Sequence, residues 1–271
     1  MLSMCHYPAE LKLPYYSVFA KSGGVMNIHI IIHEEFEGPN FIDSWINNRG
    51  YQVSYSRVYL GDMLPLNMND FDGLIVLGGP QSPDTTKEEC AYFHSKEEQS
   101  LILHGINGNK MVMGVCLGAQ LIGEALGAKY ERSPEKEIGY FPIQLSKDGI
   151  HDSSLDHFNL SELVGHWHDD MPGLTESAKV LASSKGCPRQ IIRYSNLVYG
   201  FQCHLEFIAS ELPSLIEHSI RDFTVQNEHI FIQSELEILN TSTSRMNQLL
   251  GDFLDNLVAK YRYDDCKEIA R

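Results

Sequence analysis

The run KMVMGVCLGAQLIGEALGA, residues 110–128, goes straight from a buried-strand pattern into a helical one with no loop residues between. At the junction stands Cys116, with Gly114 two residues before it and Gly118 two residues after. A side chain placed between a parallel strand and the following helix projects from a tight turn above the sheet edge. The backbone there is strained, and the residues two before and two after must be small so that strand and helix can approach. The helix N-terminus just beyond adds partial positive charge, which favours thiolate over thiol. A core cysteine beside two packing glycines would be written with the same letters. The pattern therefore means chemistry only if a base and an anion site accompany it.

The surrounding elements fit that junction. From Met26, NIHIII is a short β-branched run, followed by a polar loop over residues 34–40. Phe41, Ile42, Trp45 and Ile46 recur at helical spacing and Gly50 ends the segment. YQVSYSRVY alternates as a strand does, and FDGLIVLGGP is a buried-strand run stopped by Gly78, Gly79 and Pro80. Residues 86–104 read as a helix. This alternation predicts an α/β fold, a mostly parallel central sheet with helices on both faces. The second half adds the strands YFPIQLS, LVGHWH, AKVLASS, RQIIRY and LVYGFQCHLEF. From about residue 210 the pattern is helical, and Met246, Leu249, Leu250, Phe253, Leu254, Leu257 and Val258 trace one apolar stripe, with Thr243 or Ser244 as N-cap. Residues 26–271 are expected to form a single domain. Residues 1–25 read as a flexible or non-native extension, with Met26 as the functional start.

Composition narrows the function. A formal net charge of -15 disfavours nucleic acid, whose phosphates need clustered Lys and Arg. The six cysteines form no CxxC pair, and reduced thiols in a cytoplasmic protein are the expectation. No apolar run approaches the ~20 residues of a membrane span, and residues 1–25 lack the features of a secretory signal or transit peptide.

The base and the anion site are both present. In GFQCHLEF, residues 200–207, strand parity puts His204 and Glu206 on one face and Cys203 on the other. Glu206 can then hold one imidazole nitrogen while the other faces Cys116, the nucleophile–base–orienter order of a catalytic triad. The LGGP turn, residues 77–80, offers the Gly79 N–H, and the Leu117 N–H follows the nucleophile directly. Two such donors make an oxyanion hole, at the carboxyl edge where open α/β sheets bind ligands.

With GVCLGAQ, GFQCHLEF and VLGGPQSP in place, the chain resembles the class I, triad-type glutamine amidotransferases, especially the glutaminase domain of GMP synthases and its stand-alone relatives. EIGYFPI, GHWHDDMPGL and AKVLASSKGCPRQIIRY follow in the family's order, so the resemblance spans roughly residues 26–210. It implies a flavodoxin-like fold and hydrolysis of the glutamine amide through a γ-glutamyl thioester, releasing ammonia. It further implies Cys116 as nucleophile, His204 as base and acid, Glu206 as its orienter, and Gly79 and Leu117 as oxyanion donors. By the same resemblance Gln120 lines the substrate pocket, His168 and Asp169 hold the amino-acid end, and Glu137 shapes the pocket. His166, His168 and the two aspartates also invite a metal reading; thiol hydrolysis needs none, and no metal or cofactor is expected.

Two departures bear on the acceptor and the strand. Nothing after Phe207 resembles an ATP-binding synthetase, so the ammonia acceptor is unidentified and would be a partner protein; a homo-oligomer stays open. Cys203 and Leu205 replace an aromatic residue and a proline usual in relatives, which bears on local strand geometry. Three alternatives stay open: a γ-glutamyl peptidase or hydrolase using the same triad, a non-catalytic regulatory protein of the same fold, and a redox-sensing or chaperone-like relative.

Overall fold

The computed structural model describes residues 24–220, 223 and 230–269. The extension expected over residues 1–25 therefore lies, up to residue 23, outside the described residues. In β1 (Asn27–Ile32), Ile28, Ile30 and Ile32 face one apolar cluster and Ile31 faces a second. A strand with apolar residues on both sides belongs in the middle of a covered sheet. It pairs in parallel with β2 (Gln52–Arg57) and β3 (Gly73–Val76), and β3 with β4 (Met111–Val115).

The second half supplies β5 (Glu131–Leu145), β6 (Ser161–Met171), β7 (Lys179–Ser183), β8 (Ile191–Ser195) and β9 (Val198–Phe201). The nine strands run in the order β2-β1-β3-β4-β9-β8-β7-β5-β6. β9 joins β4 in parallel and β8 antiparallel, so it is the seam between a parallel half and an antiparallel half. Helices α1 (Phe41–Arg49) and α2 (Ser95–Asn107) cross between parallel strands, and α3 (Leu117–Ala125) follows β4 and leads into the antiparallel half. α4 (Lys147–Ile150), α5 (Leu212–His218), α6 (Glu235–Leu239) and α7 (Ser244–Ile269) follow. Ile42, Trp45 and Ile46 of α1 share a cluster with the predicted stripe of α7, while α2 and α3 cover the opposite face. This is the α/β arrangement expected from the alternation. No described helix is long and apolar enough to cross a membrane.

Three boundaries differ from the sequence reading. The helix expected from residue 86 begins only at Ser95. The Glu89 carboxylate accepts from the Thr86 N–H at 2.9 Å and from its hydroxyl at 3.0 Å, closing a local turn that competes with the helix. β5 starts nine residues before Tyr140, at Glu131, and its register against β6 shifts between Arg132 and Glu137. β9 ends at Phe201, so the His204 and Glu206 segment lies beyond the regular strand. It is held instead by an antiparallel bridge, His204 N–H to Gly165 O at 2.8 Å and Gly165 N–H to His204 O at 3.0 Å.

α7 does more than fill the core. All seven stripe residues are at most 4% exposed, worth on the order of 10 kcal/mol of gross burial. On the same side, buried Asn247 donates its amide to the Leu205 carbonyl at 2.7 Å and the Phe207 carbonyl at 3.0 Å. These are the carbonyls of the residues before and after Glu206. Asn247→Ala leaves both carbonyls without that donor, and we expect a loss of about 1–3 kcal/mol in urea unfolding. A change near zero would mean that water replaces the amide.

Candidate functional site

Cys116 stands alone between β4 and α3 with φ 50° and ψ −109°. A non-glycine residue in that region costs on the order of 1–3 kcal/mol and persists only where its surroundings hold it. Here the Cys116 N–H donates to Phe201 O at 2.7 Å, and the Gly118 N–H donates to Leu77 O at 3.2 Å. The turn is thus slung between the ends of β9 and β3. A Cβ on Gly118 would fall inside 3.0 Å of the Val76 carbonyl, and one on Gly114 inside 3.0 Å of the Gly118 backbone. The flanking glycines are there because the strand and the helix touch backbone to backbone.

The His204 imidazole is buried beside this turn, stacked on Phe207 with ring centroids 4.2 Å apart. Its Nδ1 lies 2.6 Å from Glu206 Oε1. Its Nε2 is buried with no hydrogen-bond partner among the described residues. Burial works against charge on His204, but the Glu206 carboxylate and the Cys116 sulfur outweigh it and hold its pKa well above the ordinary value. Cys203 points away, its thiol directed at Gln190 O at 3.7 Å, and burial pushes its pKa well up. That leaves Cys116 as the cysteine facing the histidine.

Besides His204, two polar groups lie near the sulfur among the described residues. The Cys116 thiol is 3.7 Å from Trp167 O, and Gln202 Nε2 donates to Sγ at 3.4 Å. Gln202 is not among the residues expected from the sequence, where its one signal is its place two residues before His204. Gln120 donates to Gln202 Oε1 at 3.2 Å, so it stands one residue back from the sulfur rather than beside it. On the other side lies the Gly78–Gly79 turn: a Cβ on Gly78 would meet Cys116 Cβ and His204 Cε1, both at 3.4 Å. The Gly79 and Leu117 N–H groups have no acceptor among the described residues.

The remaining candidates divide by strand parity on β6. His168 turns inward and is buried, whereas Asp169 turns toward solvent and pairs with Arg132 at 2.9 Å. Arg132 also holds Asp170 at 3.3 Å. Inside, Glu137 Oε2 meets Gln190 Nε2 at 2.7 Å, Ser184 Oγ at 2.8 Å, His168 Nε2 at 3.3 Å and His166 Nδ1 at 3.5 Å. Burial alone would raise the Glu137 pKa; the hydrogen bonds and the imidazoles hold it below the ordinary value. His166 donates through Nε2 to Phe141 O at 3.1 Å, and burial takes its pKa down to about 3. Ligand atoms of Glu137, His166 and His168 lie within 4.8 Å of one another, close enough for a metal. The Gln190 amide already sits among them, 2.7 Å from Glu137 and 3.2 Å from His168, bridging both. Ser184 and Gln190 carry no sequence signal, since both come from the connection between β7 and β8.

Comparison with known proteins bears on this arrangement. The model of the family described as "Glutamine amidotransferase class-I" matches residues 42–223. YfeJ of Salmonella typhimurium, named a glutamine amidotransferase-like protein, is 50% identical over 232 residues, 86% of this chain and 97% of that one. The glutamine-hydrolyzing GMP synthase of Salmonella paratyphi B is 27% identical over 73% of this chain, which spans only 37% of that enzyme. A crystal structure of a glutamine amidotransferase from Thermotoga maritima has the same fold, with a TM-score of 0.76 and 21% identity over 87% of this chain and 99% of that one.

One further carboxylate reaches the sulfur's surroundings. Glu37, from the loop after β1, lies so close over Gly78 that it would collide with a Cβ there. Burial, only partly offset by His204 and His33, raises its pKa from 4.5 to about 7. The folded chain therefore binds this proton more tightly than the unfolded chain. Its stability contribution is present below about pH 4.5 and is lost as pH rises through 7. We expect Glu37→Gln to flatten the fall of Tm between pH 5 and 7 and to exceed wild type above pH 7. Parallel Tm profiles for the two proteins would show that Glu37 titrates as a free carboxylate.

Proposed function

Because the chain belongs to the class I glutamine amidotransferase family, we propose that it hydrolyses the side-chain amide of glutamine through a γ-glutamyl thioester on Cys116. One observation carries the reading: His204 is tied through Nδ1 to Glu206 at 2.6 Å and keeps Nε2 unpartnered beside the cysteine of the elbow. A buried imidazole nitrogen without a partner is unfavourable unless a proton acceptor or donor is to be supplied in the reaction.

In this reading Nε2 takes the Cys116 proton, and the thiolate attacks the amide carbon. The carbonyl oxygen becomes an oxyanion between the Gly79 and Leu117 N–H groups, which have no other acceptor to leave. Collapse breaks the C–N bond, and the imidazolium returns its proton so that ammonia departs. Water then attacks the thioester with Nε2 again as base, releasing glutamate and the thiol. Glu206 keeps His204 in the tautomer whose Nε2 can do this. Gln202 steadies the sulfur, with Gln120 behind it. We assign the pocket wall to Glu137 and His168, and the substrate's ammonium to Asp169 at the rim. The ammonia acceptor is placed on a partner protein, and the setting in the cytoplasm, where the free thiols Cys90, Cys116, Cys187 and Cys203 stay reduced.

Incubation with 6-diazo-5-oxo-norleucine, a reactive glutamine mimic, tests the assignment. Intact-mass spectrometry should show one adduct on the wild type, mapped to Cys116 and absent from Cys116→Ala. Labelling of another cysteine, or cleavage of γ-glutamyl peptides without any adduct, would replace glutamine by another substrate. Glu206→Gln should lower kcat about 100-fold. It should also move the alkaline limb of the pH–rate profile to lower pH, because the imidazolium loses the carboxylate that stabilises it. An unmoved limb would assign that limb to a group other than His204.

A further inference from the structure

We propose that His33 and Glu98 form a positioning dyad for the oxyanion hole, holding the Gly78–Gly79 peptide so that the Gly79 N–H is presented to the reacting carbonyl oxygen. The proposal rests on the reading of Gly79 as an oxyanion donor. His33 follows β1 and Glu98 lies on α2, 65 residues apart in the chain and both 0% exposed. His33 Nδ1 lies 2.9 Å from Gly78 O, and Nε2 lies 2.8 Å from Glu98 Oε2. Phe93 packs against the ring near-perpendicular, with centroids 5.7 Å apart. Neither residue is needed by the triad, yet burying this pair is expensive unless it is matched.

The partners decide the protons. A carbonyl oxygen only accepts, so Nδ1 carries a hydrogen and donates it to Gly78 O. The carboxylate at Nε2 draws the second, giving an imidazolium that neutralises Glu98, whose Oε1 has no partner among the described residues. Burial lowers the His33 pKa, but the Glu98 charge and the hydrogen bonds raise it further, and the net shift is upward.

The peptide geometry does the rest. There is no cis peptide bond among the described residues, so the carbonyl of Gly78 and the N–H of Gly79 lie in one plane and point in opposite directions. With the oxygen tied to His33, the N–H faces away from His33. The turn is held between the dyad and the nucleophile: the Cβ position of Gly78 faces Cys116 and His204, and a Cβ on Gly79 would meet His33 Cβ at 2.9 Å. A donor fixed before the reaction needs no reorganisation when charge develops, which is the source of oxyanion-hole catalysis. A cation on the carbonyl side also polarises the peptide and strengthens its N–H as a donor.

The test compares two reactions of the same sulfur in the full-length protein. Acylation by p-nitrophenyl acetate passes through a tetrahedral oxyanion before nitrophenolate leaves. Alkylation by iodoacetamide is a direct displacement of iodide with no oxyanion. His33→Leu should slow acylation about 100-fold and lower kcat for glutamine similarly with little change in KM. Its alkylation rate should stay within about threefold of wild type. His33→Gln, whose amide can still donate to Gly78 O, should recover part of the loss. Should His33→Leu fail to fold, Glu98→Gln, which keeps the shape and removes the charge, should slow acylation about tenfold and leave alkylation unchanged. Equal loss in both reactions, or no loss of acylation in any variant, overturns the dyad. A wild type that acylates Cys116 but ignores glutamine overturns the substrate assignment and leaves the dyad to be judged on the ester. A wild type inert to the ester as well overturns both.

Discussion

At Gly118 the first turn of α3 lies against β3 so tightly that a methyl group would fall inside van der Waals range of the Val76 carbonyl. That contact sets the height of the helix above the sheet, and with it the strained backbone of Cys116 at φ 50°. The strain is held by two backbone hydrogen bonds, to Phe201 on one side and Leu77 on the other. Phe201 ends β9 and Leu77 directly follows β3, the two strands flanking β4. The proposed base follows the first and the proposed oxyanion turn follows the second. The proposed nucleophile, base and anion site therefore share one backbone frame.

Three buried carboxylate–imidazole groupings surround this frame, and they show how distance decides a charge. Burial alone would neutralise each histidine. At His204 and His33 a carboxylate at 2.6 and 2.8 Å overcomes burial, and both pKa values rise. At His166 the Glu137 carboxylate is 3.5 Å away and is shared with Ser184, Gln190 and His168, so burial wins and the pKa falls to about 3. In the proposed reaction the first histidine moves protons and the second aims a peptide. The third stays a neutral imidazole in the buried cluster around Glu137.

The long terminal helix connects stability to the site. Its apolar stripe packs on the face of α1, and Asn247 reaches through to the carbonyls flanking Glu206. Asn247 holds the carbonyl of Leu205, the residue between His204 and Glu206. The segment carrying His204 and Glu206 is thus fixed from outside the sheet as well as by its bridge to Gly165.

Local rules made much of this legible. A residue between an apolar strand and a helix, flanked by glycines, has few backbone solutions, so the Cys116 elbow could be read from eight letters. The period-two rule placed His204 and Glu206 on one side, and the 3.6 period found the α7 stripe. Those rules ended where pairing is decided between distant segments. Glu89 competing for the Thr86 amide shortened α2, and parity on β6 could not say that Asp169 would face Arg132 at the surface while His168 joined Glu137. His33 and Glu98 give no signal as letters: a histidine after a strand and a glutamate on a charged helix are ordinary solvated residues until the fold buries them 2.8 Å apart. The sequence by itself determined the strand–elbow–helix frame and the residues proposed to react on it, because steric and periodic constraints act within a few residues. Only the tertiary structure decided which carboxylate each histidine meets, because burial and the separation of charges are properties of the packed chain.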